Sequence, residues 1–270
     1  MKMENLQEIL KEEYKKIFDI RSNRPSWAVK KIADKEEIVH PSIPLIGRNF
    51  ENKRLLLYAS AENLTSYNGW LDKDDLAINR HREWFDSSNE NDIFPKVHIA
   101  PVNNGALVLV TAYVLNLLED NFNYSTPKEL IEGISVGNFG KFSIDAGSKN
   151  QDYAKDPSKL KFSFDYVKVD LKTLQPKILI IPQSIYNHGE IQQLIKSIVP
   201  ECLVIPIYQI NNRVINTLIA KKYPKISSDK IGILNEWQKE LKIKGKTKDN
   251  FYSVYSYIDN LVATKKLSLK

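Results

Sequence analysis

Four short apolar runs limit what this chain can fold into. They are Lys53-Arg-Leu-Leu-Leu-Tyr-Ala-Ser60, Ile134-Ser-Val-Gly-Asn-Phe-Gly-Lys-Phe142, Lys177-Ile-Leu-Ile-Ile-Pro182 and Cys202-Leu-Val-Ile-Pro-Ile-Tyr208. Each is too short for a buried helix. The last two follow Pro176 and Pro200, which mark strand starts. Continuous apolar runs bounded in this way read as strands buried on both faces. Helical patterns separate them, at about 74–86, 103–120, 127–132, 163–174 and 188–198, and three more follow near 211–222, 231–243 and 249–265. Strands alternating with helices imply right-handed crossovers and a parallel sheet covered on both sides. At the start, Leu6, Ile9, Leu10, Tyr14, Ile17 and Phe18 fall at helical spacing, so 4–18 is an amphipathic helix. The expected fold is α/β: a three-layer α/β/α sandwich on a central four-stranded parallel sheet, with an N-terminal helix and a C-terminal helical extension. One α/β domain over 1–222 carries a basic extension over 223–270 packed on it. Residues 40–52, with Pro41, Pro44 and Gly47, read as irregular, and 143–161 as a long polar loop of the functional or mobile kind.

Charge is unevenly placed. The chain of 270 residues has a formal net charge of +6. Residues 221–270 hold 12 Lys and 5 acidic side chains, and the preceding 220 are close to neutral, with 27 basic and 28 acidic. Such a block suits an anionic partner, and it is equally what a solvated helical end looks like. The stretch Lys242-Ile-Lys-Gly-Lys-Thr-Lys248 reads as a loop between two helices, and Phe251, Tyr252, Tyr255 and Tyr257 after it as packing.

Several classes are excluded. A hydrophobic content of 42% is too rich for disorder, and no apolar run approaches the roughly 20 residues that span a bilayer. The charged start lacks the apolar stretch of a signal peptide, so the expectation is a cytoplasmic protein without a membrane partner. Cys202 is the single cysteine and reads as an inert thiol. His40, His81, His98 and His188 lie far apart, without metal-ligand spacing. There is no Gly-rich phosphate loop and no serine-nucleophile elbow. No metal and no cofactor is expected.

In an open α/β sheet, ligands bind beyond the carboxyl ends of the strands. That rule selects Ser60-Ala-Glu-Asn63, Gly137-Asn-Phe-Gly-Lys141, Pro182-Gln-Ser-Ile-Tyr186 and Tyr208-Gln-Ile-Asn-Asn-Arg213. An amide side chain stands in every one, and a carboxylate beside it in the first. Amides offer both a donor and an acceptor, which suits the edge of a base. They also make turns and helix caps.

Taken in order, the four segments resemble the uracil-DNA glycosylase superfamily over about 45–222. Leu55-Leu-Leu-Tyr-Ala-Ser-Ala-Glu-Asn63 is similar to that family's first motif and Val136-Gly-Asn-Phe-Gly-Lys141 to the second, before a long polar loop. Leu174-Gln-Pro-Lys-Ile-Leu-Ile-Ile-Pro182 resembles its third strand, and Val204-Ile-Pro-Ile-Tyr-Gln-Ile-Asn211 occupies the place of the fourth. The sequence departs from the family at named positions. Ser60 and Asn63 stand where it has Gly and Pro, and the fourth segment has neither the His nor the Pro of the family's His-Pro-Ser motif. His40-Pro41-Ser42 spells that triplet but precedes the first strand, and is read as coincidence.

The resemblance implies a protein that binds a flipped-out base in DNA, single-stranded or damaged, and hydrolyses its N-glycosidic bond. Glu62 orients water or stabilises the positive sugar, and Gln209 assists the leaving base. Asn63 and Asn138 read the base, with Phe139 or Trp70 on its face. Lys141, Arg80, Asn211 and Arg213 meet phosphates. The alternatives are a nucleic-acid or nucleotide-binding protein without catalysis, and an unrelated Rossmann-like enzyme.

Overall fold

The computed structural model describes residues 3–27, 29–32, 35–38, 41–61, 101–118, 123–142, 153, 157–241 and 243–267. Helix α1 (Met3–Asp19) buries Leu6, Leu10, Tyr14 and Phe18, one residue per turn along a single stripe. A hairpin of β1 (Val29–Ile32) and β2 (Lys35–Ile38) follows. The stretch read as irregular contains a two-residue strand, β3 (Leu45–Ile46), and a one-turn helix, α2 (Phe50–Lys53). Arg54 takes a left-handed φ of 50° to end α2, and β4 (Leu55–Ala61) starts at the next residue.

After β4 come α3 (Pro101–Leu118), α4 (Pro127–Glu132) and β5 (Ser135–Gly140). Thr126 caps α4, accepting from the Glu129 N–H, while the Glu129 carboxylate accepts from the Ser125 N–H. Beyond β5 lie α5 (Phe164–Leu174), β6 (Ile178–Pro182), the short α6 (Gln183–Tyr186), α7 (Gly189–Ile198) and β7 (Leu203–Ile207). Helix α8 begins at Asn212–Val214, passes through a π-helical turn at Ile215–Ile219 and ends at Ala220–Lys222. The chain closes with α9 (Leu234–Glu240) and the 23-residue α10 (Gly245–Leu267).

Among the described residues the main sheet has five strands in the order β3-β5-β4-β6-β7, where four were expected. The four apolar runs supply its parallel strands. The fifth, β3, pairs antiparallel with β5 at the edge, Leu45 opposite Val136 and Ile46 opposite Ser135. Two residues carry too little pattern to announce a strand between Pro44 and Gly47. Gly47 is required there, because a Cβ would stand 2.4 Å from the Glu132 carbonyl oxygen.

Two apolar cores lie against the sheet. Alternate residues of β4 feed them, Leu55 and Leu57 into one and Leu56 and Tyr58 into the other. The first core takes in α3, α9 and α10 through Leu109, Trp237, Phe251 and Tyr255, so the C-terminal helices share a core with the sheet. The second takes in α1, α5 and α7 through Leu10, Leu171 and Ile191. No helix among the described residues is long and apolar enough to cross a membrane.

Candidate functional site

The strand order places a switch point between β4 and β6. From β4 the chain crosses to β5 on one side, and from β6 to β7 on the other. Ligand crevices in open α/β sheets form at the carboxyl ends of such a pair. Here the hydrogen-bonded register supports a break. The β4–β5 pairing runs to Ala61 opposite Gly140, and the β6–β7 pairing to Pro182 opposite Ile207. Between β4 and β6 the pairing stops at Leu57 opposite Ile180. Proline gives the reason. The Ile178 N–H donates to the Arg54 carbonyl, so alternate residues of β6 face β4. Residue 182 is next but one in that series, and Pro182 has no N–H to offer Tyr58. The sheet therefore loses a rung where a ligand crevice would open, with Ala59, Ser60 and Ala61 on one lip and Pro182 and Gln183 on the other.

Four of the expected site residues, Glu62, Asn63, Trp70 and Arg80, lie outside the described residues. Asn138 is opposite Ala59 in the register and is 2% exposed; its Nδ2 donates to Ser42 Oγ at 3.3 Å. The Ser42 N–H donates to the Lys141 carbonyl at 2.7 Å. The triplet dismissed as lying in the wrong place thus brings its serine to the carboxyl end of β5, beside the expected base-reading amide.

Two expected roles are corrected. Phe139 is fully buried and set edge-on to Tyr58 at 5.7 Å between ring centroids, so it offers no face to a base. Lys141 is also fully buried, and its Nζ lies 2.5 Å from Asp170 Oδ2, so it is turned away from any phosphate. A Lys after a strand in a polar stretch reads as solvated. Its partner is 29 positions away, with no local pattern to link them.

Around that pair the structure builds a closed polar cluster. Tyr14 of α1 donates to Asp170 Oδ1 and Tyr58 of β4 to Asp170 Oδ2, each at 2.7 Å. The Lys141 ammonium lies 5.0 Å over the Tyr58 ring and 5.7 Å over that of Tyr14. Burial pushes the Asp170 carboxyl up, against the Lys141 ammonium and the two phenols that pull it down. Burial and the Asp170 charge hold both phenols well above their ordinary range. A carboxylate with three donors and no exposed surface cannot exchange protons with a ligand. Its work is to tie α1, β4, β5 and α5 together.

Tyr153 secures the end of β5. Its hydroxyl donates to the Phe142 carbonyl at 2.6 Å and accepts from the Phe142 N–H at 3.3 Å. A Cβ on Gly140 would clash with the edge of the Tyr153 ring, which explains the glycine.

Beyond β7, Gln209 is exposed. Asn211 caps α8, its Oδ1 accepting from the Val214 N–H at 2.9 Å, and Arg213 is exposed in the first turn of that helix. Tyr257 of α10 stacks on Tyr208, and its hydroxyl accepts from the Tyr208 N–H at 3.0 Å. Away from the switch point, a groove of about 430 Å³ runs beside the start of β7, lined by Tyr186, Lys196, Cys202 and Lys265 among others. Burial pushes the Cys202 thiol up to about 12, so it is unreactive at neutral pH. Among the described residues no three His, Cys, Asp or Glu side chains gather as a metal site.

Fold and crevice together define a mixed α/β protein with a mostly parallel sheet and a switch point of the ligand-binding kind. The chain matches no family model, no curated protein and no solved structure.

Proposed function

We propose that the crevice between the ends of β4 and β6 receives a flipped-out base of DNA, in a three-layer sandwich of uracil-DNA-glycosylase-like type, and that the protein hydrolyses the N-glycosidic bond. The observation that supports this best is the lost rung at Pro182, two residues past the last β4–β6 pair and level with the segment that leads directly into Glu62 and Asn63. Glu62 orients water or stabilises the developing positive sugar. Gln209, exposed beyond β7, donates to the leaving base. Asn138 reads the base by exchanging its long bond to Ser42. An extruded base is read on its pairing edge, which amides match on both donor and acceptor.

The test is release of free base from oligonucleotides carrying uracil, hypoxanthine or an alkylated base. Release that drops at least tenfold in Glu62→Gln supports the reading. A second reading, nucleic-acid or nucleotide binding without catalysis, has its own support. Phe139 and Lys141 are committed to the core, and Tyr208-Gln209-Ile210-Asn211 holds no imidazole to stabilise a departing anion. Binding without release would establish that reading. Absence of both would overturn the two together.

A further inference from the structure

The polar seam between α8 and α10 stands apart from the apolar packing around it. Thr247 Oγ donates to Asn212 Oδ1 at 2.9 Å and accepts from Asn216 Nδ2 at 3.0 Å; Asn250 Nδ2 donates to Asn216 Oδ1 at 2.8 Å. Asn212 pairs with Thr247, and four residues on Asn216 pairs with Thr247 and Asn250. The two helices therefore run side by side in the same direction. Asn216 lies in the π-helical turn, a widened turn of the kind often found at functional sites.

This seam decides where the basic residues sit. Thr247 is bonded to Asn212 and Asn216, so the first turns of α8 and α10 lie together. Arg213, Lys244 and Lys246 are exposed and Lys248 is half-buried. None of the four is ion-paired among the described residues. Four cations at the starts of two helices are thus gathered around one seam, with Lys246 and Lys248 on either side of Thr247. Lys221 and Lys222 stand at the other end of α8, where Tyr223 packs on Tyr257.

We infer that Arg213, Lys244, Lys246 and Lys248 form a platform for the phosphodiester backbone of a nucleic-acid strand, with Asn216 as its positioning residue. The inference rests on the proposed function for its choice of polyanion and names how that ligand is held outside the crevice. Several separate cations match a chain of phosphates better than a single anion does. Each phosphate neutralised releases condensed counterions, which gives the platform a measurable signature.

The experiment uses the full chain and a mixed-sequence single-stranded oligonucleotide of ordinary bases, followed by anisotropy over a range of salt. Replacing all four cations with Gln should flatten the slope of log Kobs against log salt by about 3, at about 0.7 per contact on a single strand. Replacing Lys221 and Lys222 with Gln should leave the slope unchanged. Asn216→Ala, which removes no charge, should lower affinity at low salt several-fold while the variant still melts cooperatively. Equal effects from the two ends of α8 would overturn the inference, as would an unchanged slope in the fourfold variant. Tighter capture of the protein by anionic lipid vesicles than by the oligonucleotide would overturn it as well. Because the oligonucleotide carries no modified base, failure here is distinct from failure to release a base.

Discussion

The two faces of the sheet are held by different physics. On one, α3, α9 and α10 pack a largely apolar core of Leu, Ile, Val and aromatic side chains, in which Gln238 donates to the Tyr255 hydroxyl. On the other, α1, α5 and α7 pack a core of similar composition around one buried ion pair and two phenols. The first face gains from area removed from water and tolerates exchange of one apolar side chain for another of like volume. The second has a centre that must be satisfied as a unit, since no change of side-chain volume restores the partner of a buried charge. The contrast teaches where charge specificity resides: the first face asks of its helices apolar volume and a few hydrogen bonds, but only helices bringing Tyr14 and Asp170 close the second.

The contrast breaks most sharply at Asp170. Asp170→Ala leaves the Lys141 ammonium buried without its counter-charge, and the expected loss is about 3–5 kcal/mol, read by urea denaturation. On the other face, Leu109→Ala should cost about 2–5 kcal/mol by lost burial and a cavity. Leu109→Met should cost under about 1.5 kcal/mol, whereas Asp170→Asn, equally conservative in shape, should remain strongly destabilising. If Asp170→Asn proves as mild as Leu109→Met, the ion pair is not what distinguishes the faces.

Next in size is Tyr58→Phe. It removes one of three donors to Asp170 while keeping the ring against Phe139, and should cost about 1.5–3 kcal/mol, the range for a hydrogen bond to a charged group. Alkali probes the same centre without mutation. Tyr14 and Tyr58 ionise well above their ordinary value when folded and near pH 10 when unfolded. Above about pH 10 the unfolded chain binds fewer protons than the native one, so stability falls as pH rises, by up to about 1.4 kcal/mol per pH unit for each phenol. The part of the tyrosinate absorbance that Tyr14→Phe and Tyr58→Phe remove should therefore appear together with unfolding rather than before it.

Much of this was legible in the sequence. Four continuous apolar runs gave four parallel strands, because a strand buried on both faces has no other pattern to show. Helices 164–174 and 189–198 begin within a residue of where their periodicity starts. What escaped notice depends on contacts between residues distant in sequence. Strand β3 is made by its neighbour β5 rather than by its own two residues. Tyr14 looks like any core position on α1, and nothing near Lys141 points to Asp170. Chain order hid Ser42 as well: the sequence places it ahead of the first parallel strand, and the antiparallel edge carries it back to Asn138.

The smallest expected effect concerns Asn211, which was read as a phosphate contact. Its side chain caps α8, so Asn211→Ala should lower stability by about 0.5–2 kcal/mol. Asn211→Ser keeps an acceptor for the Val214 N–H without adding charge beside Arg213, and should leave stability nearly unchanged while removing the amide. The two readings therefore separate in one pair of variants. A cap alone predicts that Ala is the worse change for stability and that Ser does little to oligonucleotide binding. An amide contact to phosphate predicts that Ser weakens binding at low salt at unchanged stability. The result also sharpens the contrast between the faces, because α8 belongs to the apolar one: if its cap outweighs a core Leu109→Met change, local hydrogen bonding matters on that face too.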